Sequence, residues 1–120
     1  MTETATPETS TDEPRPIELN SVADYDALLE QHDLVLLEFV TSGCGICASM
    51  EPVLGAVVRS APGAVATVNA GLVPDLSAEF DVRSVPTLVV LRDGEEVARL
   101  DDGFQGAETL VELLETHAVE

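Results

Sequence analysis

Residues 34–40 read LVLLEFV, an apolar run interrupted only by Glu38. Such a run, without polar alternation, fits a strand covered on both faces, and that requires a sheet with helices on either side. Ala64 to Ala70 and Thr87 to Arg92 read as two more buried strands. Asp93-Gly94 then signals a tight hairpin, because both central residues of such a turn need positive φ, and Glu95 to Leu100 returns as the antiparallel partner. Helical spacing fills the gaps. Asn20 or Ser21 caps a helix to about Gln31, with Val22, Tyr25, Leu28 and Leu29 on one face. A second helix follows the loop 41–47 and runs to about Ser60, with Met50, Leu54, Val57 and Val58 inward and Pro52 kinking its axis. Asp75 caps a short helix from Leu76 to about Phe80, and Gly106 to His117 forms the last, amphipathic one. The order α β α β α β β α predicts an α/β fold, a mixed central sheet with helices on both sides.

Charge narrows the partners. The 120 residues carry 23 Asp+Glu against 5 cations, all arginine, for a net charge of −18. Five scattered arginines build no basic patch, so nucleic acid and anionic membrane are excluded as expected partners. With 45% apolar residues the chain still has the means to form a core. Residues 1–16, MTETATPETSTDEPRP, read as a disordered acidic tail ahead of a domain spanning 17–120. They contain no secretory h-region, and no apolar run reaches the ~20 residues of a membrane helix, so a cytoplasmic location is expected. Carboxylates in excess with no lysine at all suggest adaptation to multimolar salt, where a Debye length of roughly 3 Å at 1 M screens self-repulsion.

Two cysteines make no disulfide-stapled scaffold. Cys44 and Cys47 instead form a Cys-x-x-Cys pair between a buried strand and a helix. The first then stands at the helix N-terminus, where unpaired N–H groups and the dipole stabilise a thiolate. Such a thiolate attacks disulfides, and the second cysteine resolves the mixed disulfide. Two other readings stay open: inert thiols, or half of a zinc or iron–sulfur site completed across a dimer. A closed internal metal site needs more ligands than His32 and His117 supply from opposite ends of the domain. Glu38 is either a solvent-facing residue on a half-exposed strand or a buried carboxyl of raised pKa suited to acid–base work on Cys47. Val85-Pro86 is either a plain strand-entry proline or a cis peptide held against the cysteines.

In this order, these features resemble the thioredoxin family. The segments LVLLEFVTSGCGICASMEP and FDVRSVPTLVVLRDGEEVARL carry the resemblance, over about residues 17–118. It implies a thioredoxin-like three-layer α/β/α sandwich that reduces or exchanges protein disulfides without a bound cofactor or metal. Cys44 matches the nucleophile and Cys47 the resolving cysteine. Glu38 falls at the family's buried aspartate, Pro52 at the helix-kink proline and Pro86 at the cis-proline. Gly43, Gly45, Ile46, Val85 and Gly103 are implied to line the substrate groove, with Gly103 shifted by one residue in spacing. The implied partners are protein disulfides and a thioredoxin-reductase-like electron donor, and the expected state is a monomer.

This chain departs from the family's Trp-Cys-Gly-Pro-Cys-Lys pattern. It reads Gly43-Cys44-Gly45-Ile46-Cys47-Ala48, and Thr67 stands at the usual place of a second lysine. Ile46 restores a backbone N–H that can donate to the Cys44 thiolate, while the missing lysine and the acidic surface act the other way. The expected potential is at or somewhat above thioredoxin's, about −270 mV. A redox-inert docking module on the same scaffold is the remaining alternative, and the intact cysteine pair argues against it.

Overall fold

The computed structural model describes residues 15–118. Most of the expected acidic tail, residues 1–14, lies outside them, as do residues 119–120. Five strands and four helices follow one another: β1 Ile17–Leu19, α1 Val22–Gln31, β2 Leu34–Val40, α2 Gly45–Ser60, β3 Ala64–Asn69, α3 Pro74–Glu79, β4 Thr87–Arg92, β5 Glu95–Leu100 and α4 Ala107–Ala118. The strand order across the sheet is β1-β3-β2-β4-β5. β3 pairs in parallel with β1 and β2, whereas β4 pairs antiparallel with β2 and β5. The sheet is therefore mixed, with β2 central in sequence pattern and buried along nearly its whole length.

Alternation along the strands divides the core in two. Val35, Leu37 and Phe39 of β2 pack with Ala66, Val68, Val89 and Leu91 against Tyr25, Leu28, Leu76 and Phe80 of the α1/α3 side. Leu34 and Leu36 pack with Val65, Leu88 and Val90 against Met50, Leu54 and Val57 of α2 and Leu110 and Leu114 of α4. This gives the expected helix–sheet–helix sandwich. Near-complete burial of so many aliphatic side chains stabilises by about 1.5–3 kcal/mol each before entropy is charged.

Local chemistry explains the boundaries. Ser21 caps α1 by accepting the Asp24 N–H at 3.0 Å, and the Asp24 side chain accepts the N–H of Asn20, the residue before the cap, at 2.9 Å. In the β4–β5 turn, Asp93 and Gly94 take φ of 53° and 83°, as a tight hairpin requires. Two details differ from the sequence expectation. Asp75 does not cap α3: the helix starts at Pro74, whose fixed φ suits the first helical position, and Asp75 sits in its first turn. β1 escaped the reading because three residues, IEL, with only Leu19 buried, show no period.

Candidate active site

The loop after β2 delivers the cysteines. Gly43 at φ +80° occupies the left-handed region that favours glycine, and the chain there turns into α2. Cys44 is the N-cap of α2 in extended conformation, and its Sγ accepts the Cys47 N–H at 3.1 Å. Its carbonyl accepts the Ala48 N–H at 3.1 Å, the first hydrogen bond of the helix. Cys44 and Cys47 are joined in a disulfide, with Cα atoms 5.2 Å apart. Cys44 is half-buried and Cys47 buried, so the first sulfur is the accessible one. In this disulfide form it is Cys47, rather than Ile46, whose N–H reaches the Cys44 sulfur. Gly45 opens the helix and Ile46 stands exposed beside the pair. α2 continues through Pro52.

Glu38 is buried, at 2% exposure, on the face of β2 turned toward α2. Its Oε2 has no hydrogen-bond partner. Burial foremost, and then the charge of Glu51, push its pKa up to about 7. The solvent-facing alternative is thereby removed. Glu38 and both cysteines line one cleft of about 530 Å³, with Glu51 and Thr67 also in its wall. The register explains this grouping: Glu18, Thr67, Glu38 and Leu88 form a row across β1, β3, β2 and β4. Three charged groups on the cleft, Arg15, Glu18 and Glu51, were not singled out from sequence. Glu51 had a signal, since it lies four residues after Cys47 and so one helical turn along the same face. Glu18 had none without β1.

The Val85–Pro86 peptide is cis. Phe39 pairs with Thr87, so the start of β4 lies beside the end of β2, from which the cysteine loop departs. Val85 and Thr41 line a second, smaller cleft of about 230 Å³, and Thr41 also borders the first. Gly103, at φ +101°, lies in the β5–α4 loop. That loop meets α2 where the Gln105 N–H donates to Met50 Sδ at 3.4 Å, one turn beyond Cys47. Among the described residues no three His, Cys, Asp or Glu side chains gather closely enough to hold a metal ion. No helix among them is long and apolar enough to cross a membrane.

A cysteine pair at a helix N-terminus, with a buried carboxyl behind it in a mixed-sheet sandwich, defines a thiol–disulfide oxidoreductase. Comparison with known proteins narrows that class. The Thioredoxin family model matches residues 16–116, and the chain belongs to the thioredoxin family. A thioredoxin of Staphylococcus aureus is 33% identical over 97 residues, covering 79% of this chain and 91% of that one. Among solved structures, a point mutant of thioredoxin from Halobacterium salinarum superposes with a TM-score of 0.81 at 30% identity, with 96% of each chain covered. Thioredoxin from Fasciola hepatica gives 0.75 at 27% identity, over 84% of this chain and 98% of that one.

Proposed function

We propose that this protein reduces protein disulfides, with Cys44 as nucleophile, Cys47 as resolving thiol and Glu38 as the base that serves Cys47. The observation that carries the reading is the shared cleft: the disulfide and Glu38, whose buried Oε2 has no hydrogen-bond partner, line the same space. In the dithiol form the Cys44 thiolate, favoured by the helix N-terminus, attacks one sulfur of a substrate disulfide. That S–S bond breaks, the departing sulfur takes a proton, and a mixed disulfide with Cys44 remains. Glu38 accepts the Cys47 thiol proton, directly or through water in the cleft. Cys47 then attacks Cys44 Sγ, and the second substrate sulfur leaves as a thiolate. Two electrons have passed to the substrate, and the Cys44–Cys47 disulfide seen here is the product. A reductase returns two electrons and two protons.

Val85 and Pro86, with Gly43, Gly45, Ile46 and Gly103, form the groove that receives the substrate chain; the sheet register and the contact of the Gly103 loop with α2 support this placement. The protein acts as a monomer in the cytoplasm of a cell that accumulates salt. The net charge of −18 and the lack of lysine support that setting. Insulin disulfide reduction tests the roles. Cys44→Ser abolishes it and Cys47→Ser accumulates a covalent mixed disulfide; a Cys44→Ser protein that keeps its activity overturns the assignment.

A further inference from the structure

Glu38 shares its cleft with other charged groups. From α2 comes Glu51; from the β1 edge come Glu18 and, just before the strand, Arg15. The neighbouring strands give only uncharged partners in its row, Thr67 on β3 and Leu88 on β4. The two cysteines complete the titratable groups on the cleft. No hydrogen bond compensates Glu38 Oε2, so the state of this carboxyl is set by burial and by charge acting across the cleft.

We propose that Glu51 is a positioning residue for the reaction: its carboxylate, on the wall of the cleft that Glu38 also lines, adds to burial in holding the proton on Glu38. Helical geometry places Glu51 one turn past Cys47, on the side of α2 that walls the cleft. A like charge at that place disfavours ionisation of the buried group. Burial is the larger cause of the rise in Glu38 and Glu51 the second. Glu51 is exposed, so its influence crosses water and salt screens it. A burial effect has no such screening. The proton of Glu38 thus becomes sensitive to ionic strength through one surface side chain.

The proposal leans on the reading of Glu38 as the base for Cys47 only in its catalytic consequence. Its test is a carbon-13 NMR titration of the Glu38 carboxyl in the full-length disulfide form, where no thiol titrates. Exposed Glu51 can be replaced without disturbing the core. At about 0.3 M KCl, Glu51→Gln is expected to lower the Glu38 midpoint by roughly half a unit or more, and Glu51→Lys further. At about 3 M KCl the gap between wild type and Glu51→Gln is expected to close. An unchanged midpoint in Glu51→Gln overturns the proposal. So does a gap that is equally wide at both salt concentrations, or a larger shift from Glu18→Gln than from Glu51→Gln. If the NMR midpoint moves while the pH profile of mixed-disulfide resolution does not, Glu51 still acts on the Glu38 proton, but Glu38 loses the role assigned above and Glu51 its place in the reaction.

Discussion

The two faces of β2 are built alike and end differently. Toward α1 and α3 the strand presents Val35, Leu37 and Phe39, and the face is apolar to its end. Toward α2 and α4 it presents Leu34 and Leu36, and then Glu38. Phe39, the last residue on the closed face, meets the ring of Phe80 at 5.6 Å between centroids. Glu38 lines a cleft whose wall also holds the cysteines. One face is committed to stability throughout. The other gives up stability at one position to keep an ionisable group behind the redox pair.

Substitutions at the ends of these faces should separate chemistry from folding. The largest effect is chemical: Cys44→Ser, which also removes the Cys44–Cys47 cross-link, is expected to abolish disulfide reduction while its thermal unfolding stays close to that of wild type in the dithiol form. A variant that unfolds instead would erase the distinction between the faces. Next comes the closed face, where Phe39→Ala is expected to cost about 3–5 kcal/mol in denaturant unfolding, through lost transfer energy and the cavity left behind. A cost under about 1 kcal/mol would mean that this face is not the tightly packed one.

At the open end the sign reverses. The Glu38 pKa is raised from 4.5 to about 7 on folding, so the native state holds this proton more tightly than the unfolded chain. The stability linked to that proton is fully present below about pH 4.5 and is lost as pH rises through about 7. Glu38→Gln, which cannot ionise, is therefore expected to be more stable than wild type by about 3 kcal/mol at pH 8, with almost no difference at pH 4. Equal stability at both pH values would place Glu38 in a solvated site and dissolve the contrast. The smallest effect is global. Melting temperature should be a few degrees higher in 2 M than in 0.1 M KCl, as screening relieves repulsion among the carboxylates. No rise would detach the acidic surface from salt adaptation.

The sheet was legible because burial on both faces writes itself as mostly apolar runs without regular polar alternation: LVLLEFV, AVATVN and TLVVLR all appear as strands. The hairpin was legible because Asp93-Gly94 has few conformational alternatives. β1 was not, since a three-residue edge strand is held by pairing with β3 and not by any period of its own. The cysteine pair could be read from spacing, but the cleft could not. Glu18, Thr67 and Glu38 are far apart in sequence and meet only through strand register. The burial of Glu38 and the cis Val85–Pro86 bond were each one of two open readings, because both depend on what the rest of the chain packs against those positions. Pro74 displaced Asp75 as the start of α3 because a proline at the first helical position needs no side-chain cap.

The most direct measurement is the rate at which the mixed disulfide resolves, followed by rapid quench as a function of pH in wild type and Glu38→Gln. The expected wild-type rate climbs through an inflection near pH 7, where Glu38 gains its charge. In Glu38→Gln that inflection should vanish and the rate at neutral pH fall by about 100-fold, leaving only the rise due to the thiol's own titration. An identical rate and profile in the two proteins would contradict a role for the buried carboxyl in moving the Cys47 proton.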